Sequence, residues 1–171
     1  IAQAPSVDSC LVRHLSFDGH AKDSTKFGND LTNNGATLVA DRFGKPNAAY
    51  HFIQGEHMTG TTDDIPIGIK PRTVSMWLYL DIDPDSDVPM MYGSTNKSQA
   101  YGFAIGTNIG STPRGFRHAG WGNDHQIKYD YPVKEWFLLV GSYDGDSARL
   151  YVDGVKIGTS RRAWNTASGK F

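Results

Sequence analysis

The sequence predicts an all-β fold, a sandwich or barrel of antiparallel strands, on three observations. Apolar and polar residues alternate over several short runs, with β-branched and aromatic residues enriched in them. Turn formers separate the runs at intervals of roughly 8–12 residues, drawn from 19 Gly and 8 Pro. No segment of useful length shows the i, i+3, i+4, i+7 spacing of an amphipathic helix.

Residues 11–17, 37–39, 48–53 and 56–59 read as short strands. The segment 73–81, TVSMWLYLD, alternates most clearly. Val74, Met76, Leu78 and Leu80 share one face; Ser75, Trp77, Tyr79 and Asp81 share the other. Half of that second face is aromatic, so it is expected to be partly covered or to bind something. Further strands are expected at 89–92, 102–105, 115–118 and 126–129. Residues 135–143, EWFLLVGSY, are apolar on both faces, as in a central strand. Asp144-Gly145-Asp146 makes a turn into 148–152. Asp153-Gly154 is then the two-residue signal of a type I′ hairpin into 155–158, because both central residues of that turn need positive φ.

The chain has 171 residues, with 17 basic against 18 acidic side chains and a net charge of −1. That length suits one domain. The charge balance excludes the basic footprint of a nucleic-acid binder. No apolar run approaches the roughly 18–20 residues of a membrane span. Residues 1–10, without a basic or an apolar stretch, read as a linker or processed end, and 11–171 as the domain. Cys10 is the only cysteine, so there is no internal disulfide framework. It is either an inert thiol or one that pairs outside the domain. The acidic run 81–87 reads as a solvated turn, with a cation site as the alternative. Asn96-Lys97-Ser98 matches the glycosylation sequon, which a polar turn also produces by chance.

The order of these signals carries a resemblance. Leu15-Ser16-Phe17-Asp18-Gly19 precedes Asp23-Ser24-Thr25-Lys26-Phe27-Gly28-Asn29-Asp30. Gly44-Lys45-Pro46-Asn47-Ala48-Ala49-Tyr50-His51-Phe52 follows, and then the Thr73-Val74-Ser75-Met76-Trp77-Leu78 strand. Last come Trp136 with Tyr143-Asp144-Gly145, and Leu150-Tyr151-Val152-Asp153-Gly154. Over almost the whole chain this resembles a laminin-G-like, concanavalin A-like domain of the pentraxin-type jelly roll. The resemblance implies a two-sheet antiparallel β-sandwich that binds a glycan, glycoprotein or other partner without catalysis. It implies a secreted or cell-surface setting, with a role in recognition or cell adhesion. Such domains usually continue past the equivalent of Phe171 with one or two strands. The last strands are therefore expected either in a longer chain or from another chain that completes the sheet edge.

Two groups of residues could form sites. The resemblance implies a structural Ca²⁺ held by Asp18 and Asp23, assisted by Asn29. Such an irregular loop offers the carboxylate, amide and carbonyl oxygens that Ca²⁺ takes; as the alternative, Asp23 and Asn29 are turn residues bonded to their own backbone. The second group is Arg114, His118, Trp121, Asn123 and Asp124, interspersed with glycines. An aromatic ring with planar polar groups beside it is the inventory for binding a sugar. The alternative is that Trp121 packs a loop onto the sheet. Trp77, Tyr79 and Trp164 are read as packing residues.

Catalysis has little support. Glycan cleavage on such sandwiches uses paired carboxylates. Here no Glu-x-Asp occurs and the only glutamates are Glu56 and Glu135. There is no G-x-S-x-G elbow. Cys10 and His14, four apart, would stand about 13 Å apart on a strand, too far for a nucleophile–base pair. The function expected is carbohydrate recognition with a structural calcium ion. The alternative is a structural or adhesive assembly module whose sheet another chain completes, with no sugar site.

Overall fold

The computed structural model describes residues 10–110 and 113–169. Residues 1–9 of the expected linker, and the chain end at Phe171, lie outside the described residues. The fold is all-β. The described residues form twelve strands: β1 (Thr32–Asn34), β2 (Thr37–Val39), β3 (Ala49–His51), β4 (His57–Thr59), β5 (Arg72–Tyr79), β6 (Asp87–Gly93), β7 (Ala100–Gly106), β8 (Gly115–Ala119), β9 (His125–Lys128), β10 (Trp136–Tyr143), β11 (Ser147–Val152) and β12 (Val155–Arg161). They fall into two compact units, one through Ile65 and one from Pro66.

The first unit holds two short antiparallel pairs, β1 with β4 and β2 with β3. The strand expected at 11–17 is absent. Only Leu15 bridges to Asp23 there. Phe17 has a φ of 58°, which a strand cannot take. This segment bonds instead to side chains: Asp23 takes the His14 N–H at 3.0 Å. Strand β1 escaped the sequence reading because its three residues are polar and exposed, leaving no alternation to read.

The second unit is a sandwich of two four-stranded antiparallel sheets, ordered β12-β11-β10-β5 and β6-β7-β8-β9. Alternation sends Phe137, Leu139 and Tyr143 of β10 inward, to meet Tyr101, Phe103 and Ile105 of β7 and Phe116 of β8. Burying one such aromatic ring is worth roughly 1.5–3 kcal/mol, so this layer dominates the stability of the unit. Gly141 lets the sheets approach. A Cβ there would lie 2.3 Å from Cε1 of Phe103. The Tyr101 hydroxyl donates to the Gly141 carbonyl at 3.0 Å across the same gap. Trp164, beyond β12, closes the core, with ring centroids 5.1 Å from Tyr143 and 5.8 Å from Tyr101. Packing was expected for Trp164 and is found. The Asp153-Gly154 hairpin has φ of 48° and 80°, as its dipeptide predicts.

Candidate functional site

Strand β8 leaves the sheet at Ala119 and the chain turns through 120–124 into β9. Gly120 begins this turn against the indole of Trp164, where a Cβ would lie 1.9 Å from Nε1. That indole donates to the Asn123 carbonyl at 2.7 Å. The Asn123 amide donates to the Ser98 hydroxyl at 3.0 Å, and Asp124 accepts the Gly120 N–H at 2.9 Å. Ser98 donates its own N–H to the Trp121 carbonyl at 3.0 Å. These bonds hold Trp121 at a φ of 51° with its ring 44% exposed. An exposed indole on a left-handed, multiply anchored backbone is an arrangement typical of ligand sites.

Below that ring lies a depression of about 180 Å³ on the outer face of the sheet. Met91 of β6, Ala104 of β7 and Ala119 of β8 form its apolar floor; Arg117 and Asp124 supply charge at one side. Arg117 Nε stands 3.6 Å from Asp124 Oδ2, an ion pair longer than a hydrogen bond. The floor is shallow because its facing residues are small. Ala104 is opposite Arg117, and Gly102 is between Met91 and Ala119.

The structure therefore joins two of the five expected ligand residues, Trp121 and Asp124. His118 does not join them. Period two sends Arg117 and Ala119 outward, so His118 points into the core. It is fully buried among the rings of Trp164, Phe103 and Tyr101, at 4.8, 5.1 and 5.0 Å. Among the described residues neither ring nitrogen has a hydrogen-bond partner. Burial, with His125 and Arg72 nearby, pushes its pKa down to about 3, so it is neutral at physiological pH. Arg114 lies at the other end of β8. It pairs with Asp83, bonds Asp130 at 2.8 Å and the Tyr131 carbonyl at 2.9 Å, and stacks on the Tyr131 ring. Asn123 is occupied in bracing the loop. Sequence reasoning missed the alanine floor, since small residues on a strand carry no distinguishing signal.

The residues expected for calcium lie in the first unit and do not converge. Asp18 is exposed and pairs with Lys45 at 2.6 Å. The Asp23 carboxylate accepts N–H groups of His14, Thr25 and Asn29 and the Thr25 hydroxyl, at 2.8–3.1 Å. Burial alone would raise its pKa; those donors outweigh burial and hold it below the ordinary value. Asn29 directs its amide N–H to Asp64. Four hydrogen-bond donors already fill the lone pairs that a cation would need, so this donor set does not fit a calcium ion. Among the described residues no three His, Cys, Asp or Glu side chains come together as a metal site.

A laminin G-type family model, described as the concanavalin A-like lectin/glucanase superfamily, matches residues 54–171. The chain belongs to this superfamily. The solved structure of domain 4 of AbnA, an extracellular arabinanase from Geobacillus stearothermophilus, in complex with arabinotriose, is similar to this chain in fold. It is 18% identical with a TM-score of 0.68, over 94% of this chain and 81% of that one. A Bacteroides ovatus protein provisionally described as carbohydrate-binding matches at 19% identity and a TM-score of 0.47, over 61% of this chain and 29% of that one. That likeness is too weak to argue from. No curated protein sequence matches the chain. Among the described residues no helix is long and apolar enough to cross a membrane.

Proposed function

We propose that the protein is a non-catalytic carbohydrate-binding module whose ligand stacks on Trp121. The observation that carries this reading is the exposed indole, braced above an apolar floor with an Arg117–Asp124 pair beside it. An indole face stacks on the C–H face of a sugar, and the charged pair can hydrogen-bond its hydroxyls. Membership of a lectin and glucanase superfamily supports the reading, as does the resemblance in fold to a domain solved with arabinotriose. The depression offers one carboxylate, Asp124, already engaged by Arg117, whereas glycoside hydrolysis generally needs two. A secreted protein is the setting this function suits. Calorimetric titration with arabinotriose and a panel of linear oligosaccharides tests it. At least one sugar should bind, and Trp121→Ala should weaken it tenfold or more with the melting temperature unchanged. Binding that survives Trp121→Ala removes the site.

One observation favours a second reading, the assembly module. Strand β6 borders its sheet with no strand on its outer side among the described residues. Light scattering separates the two, since assembly requires an oligomer that persists when free sugar is added.

A further inference from the structure

The segment that leads into β5 wraps around a buried cation. Arg72 opens β5 and is 7% exposed. Its Nη1 donates to the carbonyls of Pro66, Gly68 and Lys70 at 3.3, 3.1 and 3.1 Å. Its Nη2 donates to the Thr166 hydroxyl at 2.7 Å. The guanidinium also lies against the Tyr101 and Tyr143 rings. Among the described residues no carboxylate pairs with it. A buried charge is normally paired with an opposite one, so this one leaves its surroundings electropositive.

On the outer side of the same segment is a depression of about 510 Å³. Gly68, Lys70 and Thr166, which receive the Arg72 bonds, form part of its wall. The peptide bonds here are trans, so each C=O and the N–H of the same peptide unit point in opposite directions. The Pro66 and Gly68 carbonyls turn in to Arg72. The N–H groups of Ile67 and Ile69, both lining residues, therefore turn away from it, towards the depression. Among the described residues neither N–H has a hydrogen-bond partner. Gly68 between them has a φ of 66°, the left-handed conformation that makes successive N–H groups into an anion-binding concavity. The Lys70 ammonium and the Asn165 amide also line the depression, and neither bonds a described residue.

These groups select the occupant. No acidic side chain lines the depression. The Asp144-Gly145-Asp146 turn comes near, since a Cβ at Gly145 would lie 3.0 Å from the Ile69 carbonyl. Its two carboxylates are already paired, with Arg149 at 2.8 Å and Arg161 at 2.9 Å. Donors without acceptors, set over a buried cation, call for an oxyanion. The volume lies within the roughly 300–1,000 Å³ of small-molecule pockets, well above the need of a bare sulfate or phosphate. The Asn165 amide and the Ser168 hydroxyl suit the neutral hydroxyls of the rest of the ligand. A sugar that carries a carboxylate matches both parts.

We propose that this depression binds the carboxylate of a uronic acid residue in an acidic polysaccharide, with the Ile67 and Ile69 N–H groups and the Lys70 ammonium as its donors. That a sugar carries the oxyanion rests on the carbohydrate reading above; the donors and their residues are separate from the Trp121 depression.

The test is calorimetric titration with trigalacturonate, a glucuronate-substituted xylotriose, the methyl ester of trigalacturonate and inorganic sulfate. Neutral oligosaccharides are titrated in parallel. At least one uronate should bind, and the methyl ester should bind at least tenfold more weakly than the acid. Ile69→Pro deletes an N–H that no described residue uses. It should weaken uronate binding at least fivefold with little change in melting temperature. Lys70→Met alters an exposed side chain, should give a similar loss, and answers the question if Ile69→Pro does not fold. In both variants the affinity for a neutral sugar should stay within twofold. A wild type that binds neither uronate overturns the proposal. So does a methyl ester bound as tightly as the acid, or a uronate affinity that neither variant lowers. Sulfate bound as tightly as the uronate overturns the sugar assignment. Uronate binding lost in Trp121→Ala but kept in Lys70→Met overturns the proposal by placing the acid at the other site. Uronate binding that depends on Lys70, with no neutral sugar bound, sinks the Trp121 reading and leaves this one standing.

Discussion

Ser98 donates its backbone N–H to the carbonyl of Trp121 at 3.0 Å, and both residues occupy the left-handed region, with φ of 65° and 51°. Each such residue costs on the order of 1 kcal/mol relative to glycine. Two of them, tied to each other, hold one exposed ring in one pose. A sugar that stacks there meets a ring already ordered, so little entropy is lost on binding.

This pairing predicts an inversion of the usual glycine penalty. Trp121→Gly removes the ring and also relieves the backbone. It should be more stable than Trp121→Ala by about 1 kcal/mol. Neither variant should bind the sugar. Urea unfolding of the two side by side measures this, and equal midpoints would mean that the loop relaxes without cost.

Gly120→Ala should damage stability and binding together. The new methyl would collide with the Trp164 indole, which is buried and cannot swing away. Overpacking of this kind costs roughly 1–3 kcal/mol. Loss of the bond to the Asn123 carbonyl should also loosen Trp121 and weaken sugar affinity several-fold. A variant with wild-type affinity would show that Trp164 does not brace the site.

His118 predicts the acid limb of the stability profile. Its folded pKa, about 3, lies well below its ordinary 6.5 because burial disfavours the charged ring, with His125 and Arg72 nearby. His125 is lowered too, by burial and by Arg162. A neutral-only histidine contributes its full stability above the unfolded pKa. That contribution fades as pH falls from 6.5 towards 3. At pH 5 the loss from His118 is roughly 2 kcal/mol. His118→Phe, set in the same aromatic cage, should flatten the decline in melting temperature between pH 7 and 5. Parallel curves for variant and wild type would assign the acid sensitivity to other groups.

In the first unit Asp23 organises its loop by accepting hydrogen bonds from His14, Thr25 and Asn29. Asp23→Asn keeps the shape but replaces an acceptor oxygen by a donor amide, which leaves at least one of the His14, Thr25 and Asn29 donors unmet. A loss of about 1–3 kcal/mol is expected. EDTA should leave the melting temperature of the wild type unchanged. A fall on chelation that added Ca²⁺ reverses would restore calcium to this loop.

The strands were legible where side chains report a face. The alternation of Val74, Met76 and Leu78, and the Asp153-Gly154 pair, locate β5 and β11 within a residue or two, while β12 runs three residues beyond the expected 155–158. The segment 11–17 misled because Leu11, Leu15 and Phe17 mimic alternation. What decides its path is the Asp23 carboxylate, a tertiary partner that a local pattern does not reveal. At the site, Trp121 stood out as an aromatic between glycines. His118 was grouped with it by nearness along the chain, although one residue on a strand reverses the face. Ala104 and Ala119 become informative only once the register of β7 and β8 places them diagonally across the two strands beneath the indole.

The four tryptophans occupy sharply different surroundings, and that makes the protein its own optical gauge. Trp164 is sealed in the core, whereas Trp121 and Trp77 are 44% and 42% exposed. Trp164 should emit at short wavelength and resist acrylamide, while the two exposed indoles emit at long wavelength and are quenched. A ligand at the Trp121 depression would shield one quenchable indole and leave the core signal still. Unfolding would shift the core signal itself. Occupancy and integrity can then be followed separately in one unlabelled sample.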